Sequence, residues 1–251
     1  MSELRAILTL WQREVKRYFR DHTRVVSSFV QPALWLLIFG SAVRINFAAP
    51  GLTYQEFIFP GIIGQTMLFT SMFTGVTVIW DREFGFLKEI MVAPVSRLSV
   101  FVGKMIGNAT DAVVQAIITY LLGFLIGVPI SALTFLITLP LMIFIAFGLV
   151  CIGLVIASFM GSLESFGVIQ SFVSLPLFFL SGALFPLTTA PVWIQAIGWG
   201  NPLTYGVDLL RSAILGSAWT PLIPIGYEIL IVASFDVGLM LIGTWAFGRR
   251  K

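Results

Sequence analysis

Six long apolar runs alternate with short polar stretches along the chain, and within each run the apolarity is continuous rather than alternating. They extend from about Val25 to Val43, Phe57 to Trp80, Met105 to Val128, Leu133 to Met160, Ser165 to Phe185 and Tyr227 to Phe247. A helix needs roughly 17–25 residues to cross the hydrocarbon of a bilayer, and each run reaches that length. Hydrocarbon offers no water to pair with backbone N–H and C=O groups, so spans of this kind are helices. An outer-membrane barrel would show short alternating strands instead. The pattern predicts an all-α polytopic membrane protein with six transmembrane helices.

The opening segment follows a different rule. Leu4, Ile7, Leu8, Trp11, Val15, Tyr18 and Phe19 recur at helical spacing, while Arg5, Arg13, Lys16, Arg17 and Arg20 occupy the rest of the turn. This is the pattern of a helix lying in the membrane interface with its basic side toward anionic headgroups. An N-terminal interfacial helix over residues 1–24 is therefore expected, with no removable leader.

Composition agrees with the pattern. The chain has 251 residues, of which 58% are hydrophobic and 11% charged, and its mean hydropathy is +0.97, which excludes an ordinary soluble domain. The net charge of +3 matters less than its placement. All 15 Lys and Arg except Arg44 and Arg211 fall before the first run, between Arg82 and Lys104, or in Arg249, Arg250 and Lys251. The positive-inside rule then places both termini in the cytoplasm of a plasma or inner membrane. The single cysteine, Cys151, sits in an apolar run and is read as a small buried hydrophobe.

Two connections are unusual. Between the second and third runs, residues 81–104 mix charge with apolar positions. Phe84, Leu87, Ile90 and Met91 can share one face of a short helix among Glu83, Lys88 and Glu89, with Pro94 stopping it and Ser96 capping the next. Such a face suits docking to a soluble partner or resting on the headgroups. Between the fifth and sixth runs, residues 186–221 carry Pro186, Pro191, Pro202 and Pro221 with Trp193, Trp199 and Trp219. Apolar pieces too short to span and broken by proline read as re-entrant or interfacial helices on the external side. A brief turn, Gly161-Ser162-Leu163-Glu164, presents one further charge on the cytoplasmic side.

Taken in order, these parts resemble the membrane subunit of an ABC-2 type exporter over essentially the whole chain, within a single transmembrane domain at 1–251. The most specific pieces are Asp81 to Arg97, then Leu180-Ser-Gly-Ala-Leu-Phe-Pro186 followed by Asn201-Pro-Leu-Thr-Tyr205 and Arg211. The resemblance implies a homodimer served by a separate cytoplasmic ABC ATPase, with membrane lipid around it and no nucleic acid as partner. It implies that Glu83, Gly85, Lys88, Glu89, Met91 and Glu164 couple to that ATPase. It also implies that Gly182, Pro186, Pro202, Tyr205 and Arg211 form the external signature. ATP and Mg2+ are expected on the partner and no cofactor on this chain. GxxxxGK[ST] is missing here, because Met105 follows Gly103-Lys104 and Leu98 stands where glycine is required. The chain is thus not expected to be an enzyme by itself.

Two acids stand within the apolar runs, Asp111 and Asp236. Acids at such depth are costly and draw a functional reading. Asp236 is a candidate for the translocation path, for packing or for a proton site, and Asp111 for hydrogen bonding with Asn108 or water near the interface. Phe69, Phe73, Phe178 and Phe179 are candidates for an apolar wall of the path. Gly61, Gly64, Gly75, Gly148 and Gly153 read as helix-packing positions. The expected cargo is a hydrophobic, drug-like small molecule or a lipid leaving the cytoplasm or inner leaflet. The Ala93-Pro94-Val95-Ser96-Arg97 run resembles the drug-resistance branch, and exporters of polysaccharide or lipid-linked glycan share the same plan. Two other classes fit the pattern: a proton- or ion-coupled secondary transporter using Asp236, and a membrane scaffold.

Overall fold

The computed structural model describes residues 3–42, 52–85, 96–128 and 130–249, and every regular element among them is helical. Helix α1 (Glu3–Arg20) and helix α2 (His22–Ala42) are separated by Asp21 alone, whose N–H donates to the carbonyls of Arg17 and Tyr18. Helix α3 (Tyr54–Glu83) opens on a capping box: Thr53 Oγ1 accepts from the Glu56 N–H, and the Glu56 carboxylate accepts from the Thr53 N–H at 2.8 Å. Helix α4 (Arg97–Leu122) starts at Ser96, whose hydroxyl accepts from the Ser99 N–H, and ends in a tight turn over Gly123–Ile126. Helices α5 (Ala132–Phe159) and α6 (Leu163–Phe179) are capped in the same way by Ser131 and Ser162. Helices α7 (Val192–Trp199), α8 (Pro202–Leu215) and α9 (Ile225–Arg249) complete the order.

Among the described residues, four helical stretches are long and apolar enough to cross a bilayer: α3, α4 with its terminal turn, α5, and Ile225–Ala246 of α9. The remaining two runs give shorter apolar helices, Val25–Phe39 within α2 and α6 itself. Helix α6 stops at Phe179 rather than continuing to Phe185. Gly182 takes φ +74, a conformation open to glycine at little cost, and the chain reverses there. Helix α4 begins at Arg97, well ahead of Met105. Its first turns carry Arg97, Ser99 and Lys104, which interrupt the apolar pattern without interrupting the helix. The connection expected at 81–104 is therefore helical at both ends.

Helix α3 is buried along most of its length and packs against α2, α4, α5, α6 and α8. Small residues set these approaches. A side chain at Gly153 of α5 would lie 2.8 Å from the Ser71 carbonyl oxygen of α3, and one at Gly61 would lie 2.5 Å from the Ala183 carbonyl oxygen. Helix α9 packs on α5, α8 and α4, and α8 is enclosed by α3, α5 and α9. Apolar side chains such as Phe172, Leu230 and Leu241 point outward, as a lipid-facing surface requires.

Candidate functional site

Three constructions in this bundle bear on function, and the first lies at the end where the basic residues gather. The side of α1 carrying Ala6, Leu10, Glu14 and Tyr18 is buried, and it lies against α4 at Gly103 and Gly107. Those two glycines form a GxxxG pair that brings the helices into backbone proximity: a side chain at Gly107 would sit 2.7 Å from Glu14 Cβ. Trp11 Nε1 donates to Thr110 Oγ1 at 3.0 Å, and the Glu3 carboxylate accepts from the Ser96 N–H at 3.1 Å. Hydrogen bonds from Ser99 and then Ser96 hold the Glu3 carboxyl below its ordinary pKa.

Inside this seam lies a buried ion cluster. Lys104 Nζ, with no solvent exposure, pairs with Asp81 Oδ2 and with Glu14 Oε1 at 3.3 Å. Arg13 reaches the same acids, donating to Asp81 Oδ1 at 2.7 Å, Asp81 Oδ2 at 3.0 Å and Glu14 Oε1 at 2.9 Å. Arg17 stands 3.7 Å from Asp81, and its guanidinium lies 5.4 Å from the Trp80 ring centroid. Charges taken out of water in this way need mutual pairing and further hydrogen bonds, which the cluster supplies. Next in sequence, Arg82 Nη2 donates to the carbonyl of Met160, the C-cap of α5, where a cation meets the negative end of a helix. The last turn of α3 is thus fastened to α1, α4 and α5 at once.

The second construction is a lateral cleft of about 380 Å³ lying over α3 and bordered by residues of α2, α4 and α6. Its walls hold the amides of Gln31, Gln115 and Gln170 and the hydroxyls of Thr66 and Thr70. Phe69 and Phe73 supply the aromatic surface, and Asp21 stands at one edge. Behind Phe69 sits Phe178, with ring centroids 6.5 Å apart, and Trp35 meets Phe178 edge-on at 5.9 Å.

The third construction lies at the other end of the bundle, around a fully buried arginine. Arg211 Nε donates to the Phe57 carbonyl at 3.3 Å and Nη2 to the Gly182 carbonyl at 3.2 Å. Its guanidinium is held between rings, 3.9 Å from the Phe57 centroid and 4.7 Å from that of Trp219. Asp208, one turn earlier, lies 3.8 Å from Arg211 and accepts from Trp219 Nε1 at 2.9 Å and the Leu222 N–H at 2.8 Å. Glu228, buried at the start of α9, adds a second carboxyl beside Asp208. Asn201 caps α8 ahead of Pro202 and ties it to α6 through the Leu177 carbonyl at 2.7 Å. The Tyr205 hydroxyl donates to the Trp199 carbonyl at 2.7 Å.

The sequence-predicted residues distribute over these places unevenly. Gly182 and Arg211 meet directly, Pro202 and Tyr205 order α8 beside them, and Pro186 begins a one-turn helix over Leu187–Thr189. Phe69 and Phe73 line the cleft, Phe178 is buried behind it, and Phe179 is exposed. Asp236 is elsewhere: its carboxyl lies against Gly148, in the seam between α9 and α5. Asp111 is buried in α4. Glu83, Phe84 and Glu164 are exposed at the basic end, and Gly85 takes φ +78 just after α3. Lys88, Glu89 and Met91 lie outside the described residues.

The ion cluster and the polar cleft were not anticipated from sequence. A lysine set among glycines and apolar residues at Gly103-Lys104-Met105-Ile106-Gly107 was the available signal for the first. Lone glutamines inside Gln31, Gln115 and Gln170 contexts that are otherwise apolar were the signal for the second.

A helical bundle with several membrane-length apolar helices, a basic ion-paired end and a polar cleft in its wall defines a polytopic integral membrane protein. The chain belongs to the ABC-2 type transporter family, whose model matches residues 5–215, and is thus of the class of ABC transporter membrane permeases. It is 31% identical over 247 residues to a putative transport permease, ycf38, of Cyanophora paradoxa, covering 90% of this chain and 85% of that protein. It is 24% identical to the inner membrane transport permease YadH of Escherichia coli strain K12, covering 98% of this chain and 95% of that one. Similarity to the probable multidrug ABC transporter permease YbhR of the same strain is 28% over 213 residues, covering 82% of this chain and 55% of that protein.

Proposed function

We propose that this chain is the membrane half of an ATP-driven exporter, acting as a homodimer on a separate cytoplasmic ABC ATPase. The cargo is a small molecule or lipid that leaves the cytoplasm or inner leaflet by way of the lateral cleft. The basic end is cytoplasmic, the Arg211 assembly is external, and α7 and α8 form a re-entrant unit there. ATP and Mg2+ belong to the partner.

The observation that carries the reading is the fastening of the last turn of α3. Exposed Glu83 and Phe84 follow it directly, and the 161–164 turn with Glu164 is joined to it through Arg82 and Met160. A partner that moves these two exposed segments moves α3, and α3 forms the floor of the cleft. That path supports a coupling role for Glu83, Gly85 and Glu164, and the family resemblance extends the same role to Lys88, Glu89 and Met91.

The test is gentle extraction from native membranes and mass spectrometry of the intact complex. A nucleotide-binding ATPase in equal proportion is the expected result. A chain isolated alone from a complex shown by cross-linking not to have dissociated would remove the proposed energy source.

A further inference from the structure

Beside the ion cluster, α1 lines an open cavity of about 610 Å³. Arg13, Lys16, Arg17 and Arg20 face it along two turns of the helix, with the Gln12 amide among them, and Asp21 closes the end nearest α2. The inner wall of this cavity is the outer side of the cluster, because Arg13 and Arg17 are the guanidiniums that also reach Asp81. Lys16 and Arg20 are exposed and stand outside the cluster.

The chemistry of these walls is that of a phosphate site. A guanidinium offers parallel N–H donors that can pair two oxygens of one phosphate, and an ammonium adds a compact point charge. At 1.5 Å of rise per residue, Arg13 and Arg20 stand about 10 Å apart along α1. One phosphate cannot serve both ends of that row, whereas two phosphates joined by a short polyol can. Position selects the source of the anion. Leu8 and Phe19 are exposed within one turn of Gln12 and Lys16, so apolar chains attached to the headgroup can lie along the same helix. Trp80, exposed and facing Arg17, marks headgroup depth at this end of the bundle. A soluble anion would use the cations and leave that apolar strip unused.

We propose that this cavity holds the two-phosphate headgroup of an anionic phospholipid, with its acyl chains lying along Leu8 and Phe19. The lipid is retained rather than carried, so the site stands apart from the transport route. Basic pockets at a membrane surface are suited to such headgroups. Because Arg13 and Arg17 also hold Asp81, the bound headgroup joins the cluster that fastens the end of α3.

The purified full chain in detergent micelles is followed by native mass spectrometry and by its unfolding midpoint during titration with diphosphatidylglycerol, which carries two phosphates on one lipid. Phosphatidylglycerol, phosphatidylcholine and pyrophosphate, a soluble two-phosphate anion, are titrated in parallel. Saturable retention of one diphosphatidylglycerol per chain is expected, about tenfold tighter than phosphatidylglycerol, with a midpoint that rises as the site fills. Lys16→Gln with Arg20→Gln should weaken that binding about tenfold or more, because each surface cation adds its own attraction to an anionic headgroup. Both positions lie outside the ion cluster. Should the pair not stay monodisperse, Arg20→Gln alone is read instead, with an expected weakening of about threefold. Pyrophosphate that displaces the lipid at equal affinity would overturn the lipid as occupant. Lipid retention untouched by the glutamine substitutions would overturn the site. Substitutions that leave lipid retention unchanged but release an ATPase from the extracted complex would overturn it in favour of a protein-docking face.

Discussion

At the scale of single residues, Lys104 and Arg211 present the same problem at opposite ends of the bundle: a cation with almost no access to water. Each is tolerated because anionic or carbonyl partners are fixed around it, and removing one member of such a set exposes the full cost of the rest. Lys104→Met keeps much of the side-chain volume but leaves Glu14 and Asp81 buried with Arg13 as their main counter-charge. The expected loss is about 3–5 kcal/mol, read as a lower midpoint of unfolding in mixed micelles. Adding Glu14→Gln should recover part of it, because the two positions share one cluster. Arg211→Lys is expected to destabilise as well, although charge is preserved. An ammonium cannot reach the Phe57 and Gly182 carbonyls in the same fork or lie flat between two rings. Heat-induced loss of monodisperse protein several degrees earlier than in the wild type would show it. Arg211 was singled out in the sequence only through the family resemblance of the Asn201-Pro202-Leu203-Thr204-Tyr205 run ahead of it, and its place between the Phe57 and Trp219 rings was not foreseen. Lys104 was not singled out, since its partners lie 90 and 23 positions away and the apolar pattern has no means of pairing them.

At the scale of elements, the sequence gives a fair account of which segments are helical and a poorer account of what their faces meet. The spacing of Leu4, Ile7, Leu8, Trp11, Val15, Tyr18 and Phe19 correctly marks α1 as a helix with an apolar side. In the structure the buried side is displaced from it around the helix and shares only Tyr18 with it. Leu4, Leu8 and Phe19 are exposed, while Ala6, Leu10, Glu14 and Tyr18 are buried toward α4 and the ion cluster. Two apolar surroundings, bilayer and protein, act on adjoining faces, and periodicity alone cannot separate them. Ser96 as the cap of α4 was readable from its place after Pro94, whereas the continuity of that helix from Arg97 into the apolar run at Met105 was hidden by its polar first turns. The GxxxG seam carries a direct prediction. Gly107→Val would force a side chain to within the 2.7 Å that separates an ideal Cβ from Glu14 Cβ, so α1 must lift away from α4. With Cys151→Ala as background, spin labels at Leu8→Cys and Leu98→Cys should report a longer and broader distance in the Gly107→Val protein. An unchanged distance would mean that the seam absorbs the extra volume without releasing the helix.

At the scale of the whole molecule, the arrangement of fastenings decides what can move together. Asp81 joins the end of α3 to α1 and α4, and Arg82 joins it to α5, so a displacement applied after Glu83 is not dissipated in a flexible end. Such a chain of ion pairs and rigid helices is a physical route for coupling, and its worth is measured by uncoupling it. Asp81→Asn with Arg82→Gln removes both fastenings and leaves the exposed residues that follow unaltered. If, as proposed, an ATPase partner acts on the basic end and its force reaches the cleft by this route, the doubly substituted complex should keep its ATPase rate within about twofold. Substrate export should fall about tenfold, the equivalent of about 1.4 kcal/mol of coupling free energy. Parallel losses of hydrolysis and export would show that these residues hold the partner in place rather than transmit its motion. Export that persists at the wild-type ratio would show that the route to the cleft runs through other contacts of α3, such as its long seam with α5 at Gly153.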